Sequence, residues 1–90
     1  MIGPDAIPKL KQGVKFRFDK ARDAWILLAP ERLFMPDEVA VEVLKRVDGV
    51  STVAVIVDDL AAAFNAPRED IESDVLGMLE DLSRKGALSA

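Results

Sequence analysis

The hydrophobic period of the chain changes once, at Pro36, and that change splits it into a β part and an α part. Before it, Val14-Lys15-Phe16-Arg17-Phe18-Asp19 alternates apolar and charged residues, the period of a half-buried strand. Lys20-Ala21-Arg22-Asp23 is polar and short enough for a hairpin connection. Trp25-Ile26-Leu27-Leu28 is continuously apolar, as a central strand is, and Pro30 ends it. Arg32-Leu33-Phe34-Met35 reads as a third short strand closed by Pro36. Three consecutive strands with short links predict an antiparallel meander.

After Pro36 the apolar residues recur at helical spacing. Asp37 suits an N-cap, its carboxylate accepting from the free N–H groups of the first turn. Val39, Ala40, Val43, Leu44 and Val47 then share a face over about eleven residues. Asp48-Gly49 stops this helix, glycine supplying the left-handed residue. Ser51 or Thr52 caps a second helix of about twelve residues, with Val53, Ile56, Val57, Leu60, Ala61 and Phe64 on its apolar face. Pro67 suits the first position of a third helix of about sixteen residues, and Glu69-Asp70 its positive dipole end. Ile71, Val75, Met78, Leu79 and Leu82 form the third stripe, and Gly86 ends it. Gly77 inside this helix costs ~1 kcal/mol against alanine and is expected to mark close packing against a neighbour. The predicted fold is α+β and winged helix-turn-helix-like: an N-terminal three-stranded antiparallel meander, then three helices. Residues 1–12, polar and punctuated by Pro4 and Pro8, are expected to form a flexible N-terminal arm ahead of a single domain over residues 13–90.

Composition narrows the function. Ninety residues make one domain with one core. Cys and His are both absent, which removes the common zinc, iron–sulfur and haem ligands. It also removes the thiolate nucleophile and the imidazole base. No enzymatic activity, catalytic residue, metal or cofactor is therefore expected of the chain itself. No run approaches the ~18 apolar residues of a membrane span. The N-terminus carries no basic and apolar signal pattern, so the expected location is the cytoplasm. Charge is divided: residues 1–35 hold seven basic and four acidic side chains, net +3, and residues 36–90 hold five and twelve, net −7. A helix-turn-helix pattern suggests DNA, but the third helix opens Arg68-Glu69-Asp70-Ile71-Glu72-Ser73-Asp74, four acids against one Arg. Phosphate repulsion over that surface argues against a winged-helix DNA regulator. Asp58 and Asp59 point about 100° apart on a helix and are read as a solvated acidic face, a candidate docking surface for an enzyme. Glu69, Asp70, Glu72 and Asp74 lack loop-type calcium spacing. Trp25 is read as core.

The third strand carries the most functional information. First and last strands of a meander are edges, with N–H and C=O groups free to pair with another chain. The first is blunted by Lys15, Arg17 and Asp19. The last carries Leu33-Phe34-Met35, with Leu33 and Met35 on one face and Phe34 on the other. Such an edge suits an added peptide strand, a second copy of the chain in a homodimer, or cover by one of its own helices.

The ordered set Trp25-Ile26-Leu27-Leu28-Ala29-Pro30-Glu31, Val43-Leu44, Val47-Asp48-Gly49, Val53, Ile56-Val57, Leu60, Phe64, Ile71, Asp74-Val75-Leu76, Leu79, Leu82 and Gly86-Ala87-Leu88 resembles the PqqD proteins of pyrroloquinoline quinone biosynthesis, from about Gly13 to Leu88. The resemblance implies a RiPP recognition element, a winged-helix-like peptide-binding domain. It would bind the precursor peptide PqqA and present it to the radical SAM enzyme PqqE, as a monomer or homodimer. Carried onto this chain, the peptide-binding residues would be Arg32, Leu33, Phe34 and Met35 of the third strand, with Ile71, Val75 and Leu79 of the third helix. Arg32 and Arg68 would steer acidic residues of the peptide. One departure stands out: family members often read Leu-Asn where this chain has Pro36-Asp37, so pairing along the edge is expected to end at Met35, since proline has no N–H to donate.

Overall fold

The structure is a computed structural model and describes residues 2–90. Its elements are β1 (Lys9–Leu10), β2 (Lys15–Asp19), β3 (Ala24–Ala29), β4 (Arg32–Phe34), α1 (Glu38–Leu44), α2 (Val53–Phe64), α3 (Arg68–Arg84) and β5 (Leu88–Ser89). The expected meander is present as an antiparallel sheet in the order β2-β3-β4. Phe16 and Phe34 flank Leu27 from either side, and Lys15 and Leu33 flank Leu28. Alternation sends Phe16, Leu27, Ala29 and Phe34 toward the helices, where they meet Val43, Val53, Ile56, Val57 and Leu79. The opposite face carries Lys15, Arg17, Ile26, Leu28 and Leu33.

The helix ends follow the sequence signals. Asp37 Oδ1 accepts from the Ala40 amide at 2.8 Å. Thr52, of the two candidates, caps α2, with Oγ1 accepting from the Val55 amide at 3.3 Å. Gly49 and Gly86 have φ of +79° and +81°, a region that a Cβ disfavours. Pro67 stands one position earlier than expected, at the N-cap of α3. α1 is shorter than expected, seven residues. Its continuation is closed by tighter bonds, from the Arg46 amide to Val43 O and from the Val47 amide to Leu44 O, the tightening that satisfies carbonyls at a helix end.

Two further expectations meet a different structure. Gly77 does not pack closely: a Cβ there would meet no atom within 4 Å. It lies about 200° round α3 from Val75, on the outward side. With no contact to lose, Gly77→Ala should stabilise the domain by about 1 kcal/mol, read as a higher urea midpoint; an unchanged or lower midpoint would show that the glycine serves something else.

The N-terminal segment, expected to be loose, lies on the helices. The Val53 amide donates to Ala6 O at 2.8 Å and the Ala54 amide to Pro4 O at 3.0 Å. The first amides of a helix have no partner within it, and here the arm's carbonyls supply one. Pro8 is fully buried, and β1 pairs antiparallel with β5, Lys9 opposite Ser89 and Leu10 opposite Leu88. Proline serves at position 4 because only its carbonyl bonds to the helix. Deleting residues 1–6 removes both acceptors and should cost about 1–3 kcal/mol; a truncated chain with an unshifted urea midpoint would contradict this. No helix among the described residues is long and apolar enough to cross a membrane.

Candidate peptide-binding edge

β4 pairs with β3 along one side and with no strand along the other, among the described residues. Its pairing phase follows from the two-residue link Pro30-Glu31. Ala29 and Arg32, opposite each other across that link, form the closing pair that exchanges both hydrogen bonds. Hydrogen-bonded and non-bonded pairs alternate along an antiparallel ladder. Phe34, opposite Leu27, therefore points its N–H and C=O back to β3, and Leu33 points both of its groups to the free edge. Pro36 has the same phase as Phe34, so its missing N–H is a loss toward β3. That accounts for the strand ending at Phe34, one residue short of the expected Arg32–Met35.

The side chains divide as the alternation predicts. Leu33 and Met35 are 42% and 59% exposed, and Phe34 packs against the core. α3 runs beside β4 in the opposite direction. Arg32 Nη1 donates to Lys85 O at 3.4 Å, and Lys85 Nζ lies 6.0 Å from the centre of the Phe34 ring. At the other end Pro36 shares a cleft with Ile71, Asp74 and Val75. The helix flank between these two points is set by spacing: Ile71, Asp74, Met78 and Lys85 lie within about 60° of one another. The space between the β4 edge and this flank, bounded at one end by the Arg32 to Lys85 bond and at the other by the cleft, is the candidate groove.

Of the α3 residues carried over by resemblance, Ile71 lies on the groove flank. Val75 and Leu79 belong to the core, at 1% and 0% exposure, and Val75 contributes only the floor of the cleft. Asp74, Met78 and Lys85, not expected there from the sequence, share this flank with Ile71; Asp74 lines the cleft, and Met78 also packs against the core. Their spacing from Ile71 shows that they share a face, but only the position of β4 shows which face is the groove.

The cleft at the Pro36 end has a volume of about 690 Å³. Trp25, Pro36, Val39, Phe64 and Ile71 line it, with Asp23, Glu38, Glu42 and Asp74 among its charged residues. Val39 and Phe64, assigned to the apolar faces of their helices, are more than half exposed and border this cleft. Trp25 is half-buried, stacked on Phe16 at 4.8 Å between ring centres and meeting Phe18 edge-on. Lys45 Nζ covers its ring at 5.2 Å.

Asp58 and Asp59 do not act together. Asp58 pairs with Arg68 of α3, and Asp59 with Arg46, which follows α1, so each ties α2 to a neighbour. Arg68 also binds Glu72 at 3.3 Å; Asp58 and Glu72 hold it at the start of α3, and it is not among the residues lining the cleft. This leaves the start of α3 without a free cation for phosphate. Near the groove, a hydrogen bond from Lys85 holds the Asp81 carboxyl below its usual range, and bonds from Arg46 and Lys45 do the same for Glu42. No cluster of metal-ligating side chains occurs among the described residues.

Residues 24–88 match the family model of coenzyme PQQ synthesis protein D, PqqD. The chain belongs to the PqqD family. A relative from Rhodopseudomonas palustris strain HaA2, named PqqA binding protein, is 48% identical over 88 residues, 98% of this chain and 86% of the relative. The solution NMR structure of the PqqD truncation of Methylobacterium extorquens PqqCD, described as a functional and stand-alone RiPP recognition element, is 42% identical with a TM-score of 0.86, covering 100% of this chain and 96% of that one. Lasso peptide synthetase B1 complexed with the leader peptide, at 16% identity and a TM-score of 0.79, covers 94% of this chain and 100% of its own and shares the fold. The PqqD match begins at Ala24, so it includes β3, β4 and all three helices, the elements that build the edge, the groove and the cleft. The fold is thus the α+β, winged-helix-like fold expected.

Proposed function

We propose that this PqqD-family chain is a non-catalytic peptide adaptor of pyrroloquinoline quinone biosynthesis. It acts in the cytoplasm, takes the precursor peptide PqqA as a strand along β4, and presents it to the radical SAM enzyme PqqE. The observation that carries the reading is the free edge at Leu33: an unpaired N–H and C=O beside exposed Leu33 and Met35. Backbone pairing supplies affinity in such additions, and alternate side-chain contacts supply specificity. One row of the added strand would face Phe34 and the α3 flank, and the other would extend the outer face beside Leu33. The PqqA binding activity in the names of the relatives and the leader-peptide complex of the same fold support a peptide as the occupant. Iron–sulfur and S-adenosylmethionine chemistry would reside in PqqE.

The test is a titration of isotope-labelled protein with synthetic PqqA. Backbone amide shifts should concentrate on residues 31–36 and on the 71–85 flank of α3. Movement confined to the second helix, with Leu33 still, would remove strand addition. The same exposed edge on a second copy makes a homodimer the competing reading. Sedimentation at micromolar concentration with and without PqqA distinguishes them: an edge occupied by peptide cannot also pair with another copy.

A further inference from the structure

The groove beside β4 carries unpaired charge of opposite sign at its two ends. At the Lys85 end the Arg32 guanidinium lies 5.3 Å from the centre of the Phe34 ring and donates one bond to Lys85 O. That carbonyl belongs to the C-cap of α3, so the negative end of the helix dipole holds the cation, and the ring limits its swing. Among the described residues Arg32 has no carboxylate partner. Its neighbour Lys85 is taken up by Asp81 at 2.9 Å. Arg32 is thus positioned but not neutralised, with most of its five N–H donors unused. At the Pro36 end, Glu38 and Asp74 border the cleft, and neither is ion-paired among the described residues.

We infer that the groove selects its strand by the order of the strand's charges, a carboxylate against Arg32 and a Lys or Arg toward Glu38 and Asp74. This rests on β4 being the receiving edge. The four steps from Arg32 to Pro36 span about 13 Å at the rise of a strand, which puts the two charges about four to six residues apart on the added segment. For a given strand direction, the reverse order meets like charge at both ends, and like-charge juxtaposition discriminates against wrong partners and wrong orientations. Because both ends are exposed, the selection acts mainly on the rate of encounter and weakens with salt.

The experiment measures association and dissociation rates of synthetic PqqA with the full chain at low and physiological salt. It uses wild type, Arg32→Glu and Asp74→Lys, and it includes a PqqA analogue whose Asp and Glu residues are replaced by Lys. Arg32→Glu should weaken binding of PqqA about tenfold or more at low salt, chiefly through a slower association rate. Asp74→Lys should act in the same direction. The lysine analogue should bind Arg32→Glu better than it binds wild type. Arg32 is exposed, so the variant should keep the wild-type helical circular dichroism, and that spectrum is the control for folding. Arg32→Glu binding PqqA within about twofold of wild type, or showing no preference for the analogue, overturns the charge-order inference and leaves strand addition standing. Wild type failing to bind PqqA removes the receiving-edge reading itself and the inference with it.

Discussion

Leu33→Pro should abolish PqqA binding while leaving the domain folded. The prediction depends on the phase of the β4 ladder. Arg32 and Phe34 hold β4 to β3, and Leu33 has no share in those bonds, as the opposition of Ala29 to Arg32 and Leu27 to Phe34 requires. Proline at position 33 therefore removes a donor only from the free edge, where edge strands tolerate it. Its ring also occupies the space that an incoming backbone needs. A backbone bond left unmade costs about 1–3 kcal/mol, and the displaced strand loses its neighbouring pairs too, so affinity should fall by at least about fiftyfold. Calorimetric titration gives the affinity, and circular dichroism with a urea midpoint reports the fold. Phe34→Pro is the contrasting variant. It strikes the internal ladder beside the central strand and should lower stability itself. If Leu33→Pro binds PqqA normally, the peptide does not pair with this edge.

Leu79→Ala should do the opposite, lowering stability and sparing affinity. Leu79 is fully buried in the cluster that joins the sheet to all three helices. Truncating such a leucine costs about 2–5 kcal/mol, part lost transfer energy and part cavity. A domain of this size has roughly 5–13 kcal/mol in total, so the loss is a large fraction of it. Each kcal/mol moves the melting temperature by about 4–8 °C for a domain this small, and the expected fall is on the order of 10–30 °C. Measured below that transition, PqqA affinity should stay within about twofold of wild type, because the groove flank formed by Ile71, Asp74, Met78 and Lys85 is untouched. The reverse result, an intact melting temperature with lost affinity, would place Leu79 in the groove and reverse the assignment of the α3 faces.

The two variants separate functions that one helix carries side by side. On α3 the core stripe of Val75, Leu79 and Leu82 and the groove flank of Ile71, Asp74, Met78 and Lys85 are less than a quarter-turn apart in places. Both repeat every three to four residues, so apolar spacing merges them: Ile71 and Met78 fall in the same pattern as Leu79. What separates them is the location of β4, which the Arg32 to Lys85 bond marks. The same reason explains Val39 and Phe64. Each has the right phase for a buried face, but the chain leaves a cleft where a neighbour was expected.

Local signals were legible because they are satisfied locally. The period change at Pro36, the caps at Asp37 and Thr52, the left-handed glycines at 49 and 86, and the apolar last strand each depend on residues within a few positions of themselves. Those signals determined the β-meander, the three helices and the nomination of Arg32 to Met35 as the edge to watch. Tertiary structure alone decided the rest: the docking of the arm on α2, the pairing of β1 with β5, the ion pairs that occupy Asp58 and Asp59, and the seating of the Arg32 guanidinium on Lys85 O. A carbonyl such as Pro4 O accepts from any donor that reaches it, and a carboxylate pairs with any cation in range. Such partners carry no mark in the sequence, and only the folded chain brings them within bonding distance.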